Sequence, residues 1–173
     1  MISRELAAGI NETIDAAVFA KVAASAGTIV DKADAALTAS DVYAMQKAVL
    51  AAGGDLSRCA YVLSPEAMVK LKSATAVDSV SALINNNSLD GYTTYYTPQL
   101  VDADTGGAGL GSIAFGDFGL GMVMAFFGGI DLLVDPYSNA GTAQIALHVN
   151  KFYDVEVRQA GALAYTKDFA AQA

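Results

Sequence analysis

Between Ala143 and Arg158 the chain alternates apolar and polar residues over an unusually long stretch. At about 3.3 Å per residue a strand of this length would reach about 50 Å, whereas ordinary strands have about 5–6 residues. The alternation is exchanged once, at Lys151 and Phe152. This exchange predicts a bulge or a passage between packing layers, because a slip of one residue turns every later side chain to the opposite face. We therefore expect a long two-stranded ribbon, which suits an extended body better than a compact enzyme core.

The stretch that precedes this strand is punctuated by glycines and predicts a series of strands. They are expected at Ser112–Phe115, Met122–Phe127 and Ile130–Asp135, with breaks at 116–119 and 128–129. The last of them alternates and is expected to be half-buried. The most apolar run, Leu120–Ile130, is expected to be a buried strand, since it is far shorter than the ~20 residues that span a bilayer.

The first part of the chain predicts helices joined to short strands. A helix over Leu6–Val22 has one apolar stripe, and a second helix is expected to be capped by Ser40 and to end at Gly53-Gly54. The other predictions are a weakly structured connection over Ala23–Thr38, a strand at Cys59–Leu63, a helix from Ser64-Pro65-Glu66 to Ser73, a helical turn at Asp78–Ile84, a polar loop at Asn85–Gly91, a strand at Tyr92–Thr97 and a flexible turn at Val101–Gly111.

Composition and charge exclude several classes of function. Hydrophobic residues make up 54% of the 173 residues, which is ample for a core and argues against disorder. The net charge is −8, from 10 Lys and Arg against 18 Asp and Glu, so we expect no specific nucleic acid and no membrane as partner. The single Cys59 excludes an internal disulfide and is expected to pack in the core. With His148 as its only companion it makes no metal-ligand set.

A search for catalytic chemistry gives no site. The sequence Gly109-x-Gly111-x-x-Ala114 matches a loose dinucleotide fingerprint, but it enters a strand instead of opening a helix. His148 lies on the polar face of the long strand, which is typical of a solvated or interface histidine. Asp117 and Asp135 could supply a carboxylate pair, yet most acids at strand edges are expected to be solvated. We therefore assign no catalytic, cofactor-binding or metal-binding residue, and no enzyme activity.

The order of the elements and of several short motifs resembles the C-terminal half of tailed-bacteriophage major capsid proteins of the Hong Kong 97 type. The resemblance covers about Leu6 to Phe169, and one departure is Thr93-Thr94, where the family usually has Pro-Val. The motifs that carry it are Tyr61-Val62-Leu63-Ser64-Pro65, Gly91-Tyr92, Gly116-Asp117-Phe118, the strand Ile130–Asp135, the loop Tyr137–Thr142, the strand Ala143–Arg158 and the ending Ala162-Leu163-Ala164-Tyr165.

This resemblance implies an α+β capsid fold without the family's N-terminal arm and extended loop. A peripheral domain would comprise 1–30 and 128–158, with the long β-ribbon packed on a helix. A compact axial domain would comprise 31–127 and 159–173. Some relatives join subunits by a lysine–asparagine bond, and Asn150 or Lys151 falls near the asparagine's place, but the lysine partner would lie in the missing loop.

The resemblance also implies a function and partners. The chain would be a structural subunit of an icosahedral phage or prophage capsid, a truncated or processed major capsid protein that assembles in the bacterial cytoplasm and resides in the virion. Its partner would be itself, as pentamers and hexamers in a full-length shell, with a scaffolding protein or protease as a further partner. The isolated chain is expected to be a monomer or small oligomer, because the main extensions between subunits are left out.

Two alternatives from other classes stay open at this point. An encapsulin-like compartment shell protein resembles the same fold and houses cargo enzymes. A small-molecule-binding or hydrolytic domain would use acids near Asp117 and Asp135 and would require a concave pocket with converging carboxylates.

Overall fold

The computed structural model describes residues 2–32, 35, 37–73, 84–85, 88–100, 110–142 and 144–169. The helices are α1 (Ile2–Ser25), α2 (Ala39–Ala51), α3 (Pro65–Ser73) and the short α4 (Phe118–Gly121). The strands are β1 (Thr28–Asp31), β2 (Ala60–Leu63), β3 (Ile84–Asn85), β4 (Ser88–Leu89), β5 (Tyr92–Tyr96), β6 (Gly111–Gly116), β7 (Met122–Asp135), β8 (Ala146–Val157) and β9 (Leu163–Phe169). The mixture of helices and strands confirms the α+β class.

Seven of the strands form a mixed sheet in the order β1-β9-β6-β2-β5-β4-β3. Alternate side chains of its central strands enter two separate cores, as the period of two in a strand requires. Phe115 and Tyr61 face α2 and α3, whereas Ala114 and Val62 face the C-terminal half of α1 at Val22. The sheet is therefore covered by helices on both faces.

The core under α2 is built around packed aromatic rings. The ring centroids of Tyr61 and Phe115 are 4.3 Å apart, and Tyr92 meets Phe115 edge-on at 5.4 Å. The hydroxyl of Tyr61 accepts a hydrogen bond of 3.0 Å from the Gln46 amide, which also donates to Asp90. The hydroxyl of the fully buried Tyr61 thus has a partner, as a buried hydroxyl needs.

The last two long strands, β7 and β8, form a separate antiparallel ribbon. Residues 122–127 pair with 152–157, and residues 131–135 pair with 146–150, so Gly128, Gly129 and Ile130 lie opposite Lys151 alone. Gly128 has φ +66°, a conformation that glycine adopts without strain. The two glycines therefore form a bulge inside one continuous strand, and the predicted break between two strands is wrong.

The same bulge corrects the prediction for Lys151 and Phe152. β8 keeps its alternation throughout, and the extra residues lie in β7 instead. The ammonium of Lys151 donates to the carbonyl of Gly128 at 3.2 Å and lies 5.1 Å from the centre of the Phe126 ring. A lysine can occupy this apolar position because its alkyl stem packs there while its charge reaches the bulge.

Several element boundaries differ from the predictions because tertiary contacts decide them. Part of the predicted connection over 23–38 is strand β1, which pairs in parallel with β9 at the edge of the sheet. The cap of α2 is Thr38 and not Ser40. The predicted polar loop at 85–91 contains the short paired strands β3 and β4, with Leu89 fully buried. The predictions over 78–83 and 101–109 lie outside the described residues.

Other boundaries follow the local signals closely. Ser64 accepts a hydrogen bond of 3.1 Å from the backbone N–H of Ala67, and Pro65 occupies the first position of α3. The short strand before it and the strand at Tyr92–Tyr96 are also confirmed. Caps and proline act within one turn, so the few residues of Ser64-Pro65-Glu66 were enough to predict where this helix begins.

The start of α2 carries a reciprocal capping box. The Thr38 hydroxyl accepts from the backbone N–H of Asp41, and the Asp41 carboxylate accepts from the backbone N–H of Thr38 at 2.8 Å. Lys32 makes an ion pair of 2.8 Å with the same carboxylate. Burial alone raises the pKa of Asp41, but the hydrogen bonds from Lys32 and Thr38 outweigh it and hold the pKa below its ordinary value of 3.8.

We expect Asp41→Asn to lower the free energy of unfolding at neutral pH by about 1 kcal/mol. Because the folded-state pKa is depressed, this stabilisation is present above pH 3.8 and is lost as the pH falls through the folded-state value. Urea unfolding of both proteins at pH 7 and at pH 2.5 measures the difference. Ser40→Asn serves as the control, since Ser40 is not the cap. An equal loss at both pH values would contradict the assignment.

Candidate assembly surface

The β7–β8 ribbon has one face that is apolar along nearly its whole length. Residues directly opposite each other in an antiparallel pair share a face. On this face Met124 lies opposite Val155, Phe126 opposite Tyr153 and Leu132 opposite Val149. Helix α1 packs against β8 on the same side, and the Tyr153 hydroxyl donates to the carbonyl of Thr13 at 3.4 Å. We call this side the α1 face.

Helix α1 is held along the ribbon by a second polar contact. The ammonium of Lys21 lies 2.9 Å from the Glu156 carboxylate, and both side chains are solvent-exposed. The hydrogen bond and the opposite charge of Glu156 raise the pKa of Lys21, and those of Lys21 lower the pKa of Glu156. An exposed ion pair stabilises little, so we expect this contact to add little to the packing of α1 on β8.

The α1 face is only partly covered, because α1 packs mainly on β8 and leaves much of β7 exposed. Leu132 has 57% of its surface exposed, and Met124, Phe126, Ile130 and Val134 are exposed in the same row. This corrects the predictions that Leu120–Ile130 is buried and that the following strand is half-buried. A local sequence pattern shows that a residue is apolar but does not show whether another element packs against it. No sequence signal could therefore have predicted this exposure.

The opposite face of the ribbon mixes apolar and polar side chains. Leu133, 60% exposed, lies opposite His148, and Phe127 lies opposite Phe152. His148 is exposed, as predicted. At the far end Tyr137 is 85% exposed. Exposed apolar residues on this scale, continuous on one face of the ribbon and present on the other, are typical of a protein–protein interface.

Two apolar clefts lie in the trough between α1 and β7. The first, about 320 Å³ in volume, lies where the ribbon meets the sheet and is lined by Val18, Phe19, Val62, Phe118, Met122, Met124 and Val155. The second, about 220 Å³, lies towards the ribbon tip and is lined by Leu6, Ala7, Ile10, Ile130, Leu132 and Val149. Neither lining contains an ionisable side chain, so these clefts suit apolar side chains and offer no group for acid–base chemistry.

The junction between the sheet and the ribbon is built on α4. The Asp117 carboxylate accepts from the backbone N–H of Leu120 at 3.1 Å, and the Arg58 guanidinium lies 3.6 Å from its other oxygen. At the other end of α4, Nε and Nη2 of Arg158 donate to the carbonyl of Leu120 at 3.1 and 3.0 Å. Asp117 is buried, which corrects the expectation that it is a solvated acid. Its hydrogen bond and ion pair indicate that Asp117 stabilises the turn that begins α4.

The two acids considered for catalysis do not converge. Asp117 precedes β7 and Asp135 ends it, which separates them by roughly 40 Å along the strand. Asp135 accepts hydrogen bonds from Ser138 and from the backbone N–H of Tyr137, and these lower its pKa. It therefore closes the turn at the ribbon tip, and the carboxylate pair of the hydrolytic alternative does not form.

Other residues considered as candidates in the sequence are part of the buried core. Cys59 is buried in the core, as predicted, and burial raises the pKa of its thiol to about 11. Gly111 and Ala114 lie in the buried strand β6. The described residues contain no group of three or more His, Cys, Asp or Glu that could hold a metal ion. Along the same ranges, no helix combines the length and the hydropathy that crossing a bilayer requires.

Comparison with known proteins points to one family. A family model described as "Phage capsid family" matches residues 2–168. No curated protein matches the chain. Among solved structures, one from Mycobacterium phage Che8 superposes with a TM-score of 0.65 at 16% identity, over 95% of this chain and 61% of that one. The capsid of an empty GTA particle gives 0.56 at 22% identity, over 83% of this chain and 50% of that one.

A native GTA particle's capsid gives the same TM-score of 0.56, at 23% identity over 83% of this chain and 49% of the other. At these identities the structures show a shared fold. The chain spans about half to three-fifths of the length of the solved proteins that it matches. Since the family model matches almost every residue, the chain belongs to the phage capsid family.

Proposed function

We propose that the chain is a structural subunit of an icosahedral phage or prophage capsid and that the β7–β8 ribbon with α1 is its main assembly surface. The observation that carries the proposal is the large number of exposed apolar side chains on both faces of the ribbon, including Leu132, Leu133 and Phe127. A subunit of a closed shell needs complementary apolar surfaces instead of a pocket with converging polar groups. The family match supports the same conclusion.

Within this proposal the chain divides as the resemblance implies. Residues 1–30 and 128–158 form a peripheral domain of α1 and ribbon, and 31–127 and 159–173 form an axial domain around the sheet. The separate sheets of the ribbon and of the main body support this division. Strand β7 already begins at Met122, so its first six residues carry the ribbon back to the axial domain.

The partners follow from the same proposal. Copies of the complete capsid protein associate as pentamers and hexamers in the virion, after assembly in the bacterial cytoplasm, and a scaffolding protein or a protease acts on them before the shell is complete. The isolated chain is a monomer or small oligomer. Between the shell functions, the solved structures described above favour the virion over an encapsulin-like compartment, because they come from a phage and from GTA particles.

Negative-stain electron microscopy with light scattering tests the proposal. The complete reading frame that encodes this chain is expected to form uniform polyhedral shells, whereas the chain alone stays small. If both samples remain small and discrete under conditions that include scaffolding protein, the shell function is wrong.

In the complete protein, Leu132→Lys is expected to abolish shells. Each copy would bring an unpaired charge into a buried contact, at a cost of several kcal/mol per ion, and a shell repeats this cost in every subunit. Leu132→Met keeps the apolar surface and is the matched control that should still assemble. Urea unfolding verifies that both variants fold, because Leu132 is already exposed in the single chain. Normal shells from Leu132→Lys would exclude this surface as an interface.

A further inference from the structure

Strand β9 contains a bulge near its end. Its ladder with β6 loses register there, because Lys167 and Asp168 together lie opposite Ser112 alone. Asp168 has φ +56°, a left-handed conformation that is uncommon for any residue except glycine. Such a conformation persists where the surrounding structure holds it, and it is frequent at ligand sites. The bulge therefore marks a place where the main sheet departs from regular pairing.

The side chains at the bulge lie on the face of the sheet that is turned towards α1. Two positions separate Ser112 from Ala114 in β6, and Lys167 from the last residue of β9 that belongs to the same core. Asp168 directly precedes Phe169, which enters the core on the opposite face. Alternation along both strands thus brings a hydroxyl, an ammonium and a carboxylate to one side of the sheet.

Two of these side chains are buried without being satisfied. Ser112 is fully buried, and Asp168 is only 2% exposed. Within the part of the chain that the structure describes, the Ser112 hydroxyl and both oxygens of the Asp168 carboxylate have no hydrogen-bond partner. Nearly all buried polar groups have such a partner, and an exception is explained by a bound water or ion or by a functional role. The bulge therefore presents oxygen atoms to a ligand.

The charges at the bulge do not balance. The ammonium of Lys167 lies 3.1 Å from the Asp31 carboxylate and 3.3 Å from that of Asp168, so two negative charges share one positive charge. The contact with Asp31, and then that with Asp168, raises the pKa of Lys167, which therefore keeps its charge. Asp31 is half-exposed and water can solvate it, whereas Asp168 is enclosed. The uncompensated negative charge therefore lies on Asp168.

Other cationic side chains do not supply the missing charge. Every lysine and arginine of the sequence lies within the described ranges, and there Lys167 alone forms an ion pair with Asp168. Lys32, which follows β1, is paired with Asp41 instead. A buried carboxylate whose charge is not balanced is strongly unfavourable, and a water molecule could fill the space but would not neutralise it. A cation from solution would do both.

The oxygen atoms at the bulge suit a small, hard cation with a single charge. Carboxylate and hydroxyl oxygens are ligands for hard cations, whereas softer metals prefer sulfur and nitrogen. One added positive charge makes the group of Asp31, Lys167 and Asp168 neutral, and a divalent ion would leave an excess positive charge beside the ammonium. Calcium also takes about 6–8 oxygen ligands, with carboxylates prominent among them.

We infer that a monovalent metal cation of the size of sodium binds at the β9 bulge, between the Asp168 carboxylate and the Ser112 hydroxyl. There it neutralises the buried carboxylate and connects β9 to β6 at the point where their ladder is interrupted. The cation would stabilise the main sheet of the isolated chain, whether or not the chain assembles into a shell.

Urea unfolding of the chain in sodium chloride and in choline chloride tests the site. Choline is a much larger monovalent cation, so it screens charge equally at the same ionic strength but does not fit a buried site. When sodium is present at about ten times its Kd, the equilibrium constant for unfolding is expected to be about tenfold lower than in choline. Mixtures of the two salts at constant ionic strength give the sodium concentration at half of the effect.

Two variants remove the ligands one at a time. Asp168→Asn removes the charge and keeps a residue that tolerates a left-handed backbone, and Ser112→Ala removes the hydroxyl. Both are expected to abolish the difference between the two salts. In choline, Ser112→Ala is expected to be at least as stable as the unmodified chain, because it removes an unsatisfied hydroxyl, and in sodium to be less stable. This reversal remains measurable if Asp168→Asn does not fold.

Asp117→Asn is the matched control. Asp117 is also 2% exposed, but it lies at the turn before α4, beside Arg58. The same change of acid to amide there is expected to lower stability in both salts and to leave the full sodium dependence.

Four results would overturn the inference. Equal stability in sodium and choline would mean that no small cation binds, and a sodium effect that survives in both ligand variants would place the cation elsewhere. An equal loss of stability by Ser112→Ala in both salts would indicate a bound water. Stabilisation by calcium chloride at about 1 mM, without any effect of sodium, would show a divalent site. Shell formation plays no part in these measurements, so their failure leaves the proposed function to its own test.

Discussion

Replacing Phe115 with Ala is expected to lower the free energy of unfolding by about 3–5 kcal/mol, the range for a large aromatic ring removed from a core. Phe115 is fully buried in the central strand β6 and contacts the rings of Tyr61 and Tyr92. The cavity would lie between the sheet and α2, where neither can close without separating from its other contacts. Urea unfolding followed by circular dichroism measures the loss.

Phe127→Ala removes the same atoms from the ribbon and is the matched control. Phe127 is 56% exposed and lies outside both buried cores. Its loss is expected to be below about 1 kcal/mol, as is usual for exposed positions. Equal effects of the two substitutions would mean that the aromatic cluster does not carry the stability of the sheet. In the assembled protein the order of importance is expected to reverse, because Phe127 lies on the proposed interface.

Replacing Gly116 with Ala is expected to destabilise the chain by at least about 2 kcal/mol. A Cβ atom at this position would lie 2.1 Å from the carbonyl oxygen of Ala162, and φ is +156°, a conformation that L side chains rarely adopt. The neighbour is backbone, so it cannot move aside as a side chain would. Gly116 ends β6 where the chain enters the Asp117 turn, and its displacement would disturb the junction between sheet and ribbon.

Gly129→Ala is the control for this substitution. A Cβ on Gly129 meets nothing within 4 Å, so we expect a change of about 0.5 kcal/mol or less. Thermal unfolding of both variants gives the comparison. A Gly116→Ala protein as stable as the Gly129→Ala protein would mean that β6 and the turn before β9 can separate without cost.

Much of the secondary structure could be predicted because its signals are local. The period of two over residues 146–157 appears as β8, and all of its apolar odd-numbered residues lie on the α1 face. Ser64, Pro65 and the Gly53-Gly54 pair act within one turn of a helix end. The strand at Tyr92–Tyr96 follows from its β-branched and aromatic residues.

The candidate surface could be predicted only in part. The alternation indicated a long ribbon and the family resemblance placed it against a helix, but the exposed β7 row was predicted to be buried. The prediction failed there because Met122–Phe127 is at least as apolar as a core strand such as β6. Burial depends on which element lies across the sheet, and α1 packs mainly on β8.

The amino-acid sequence by itself determined the local elements, the turn chemistry and membership of the phage capsid family, since each depends on neighbouring residues or on their order along the chain. Tertiary structure alone decided that Gly128-Gly129 is a bulge and not a turn, that β1 joins the sheet beside β9, and that Asp117 is buried while Leu132 is exposed. These outcomes come from contacts between residues far apart in the sequence. A contact of that kind leaves no pattern in the sequence of either segment, whereas an apolar period or a helix cap can be recognised within one segment.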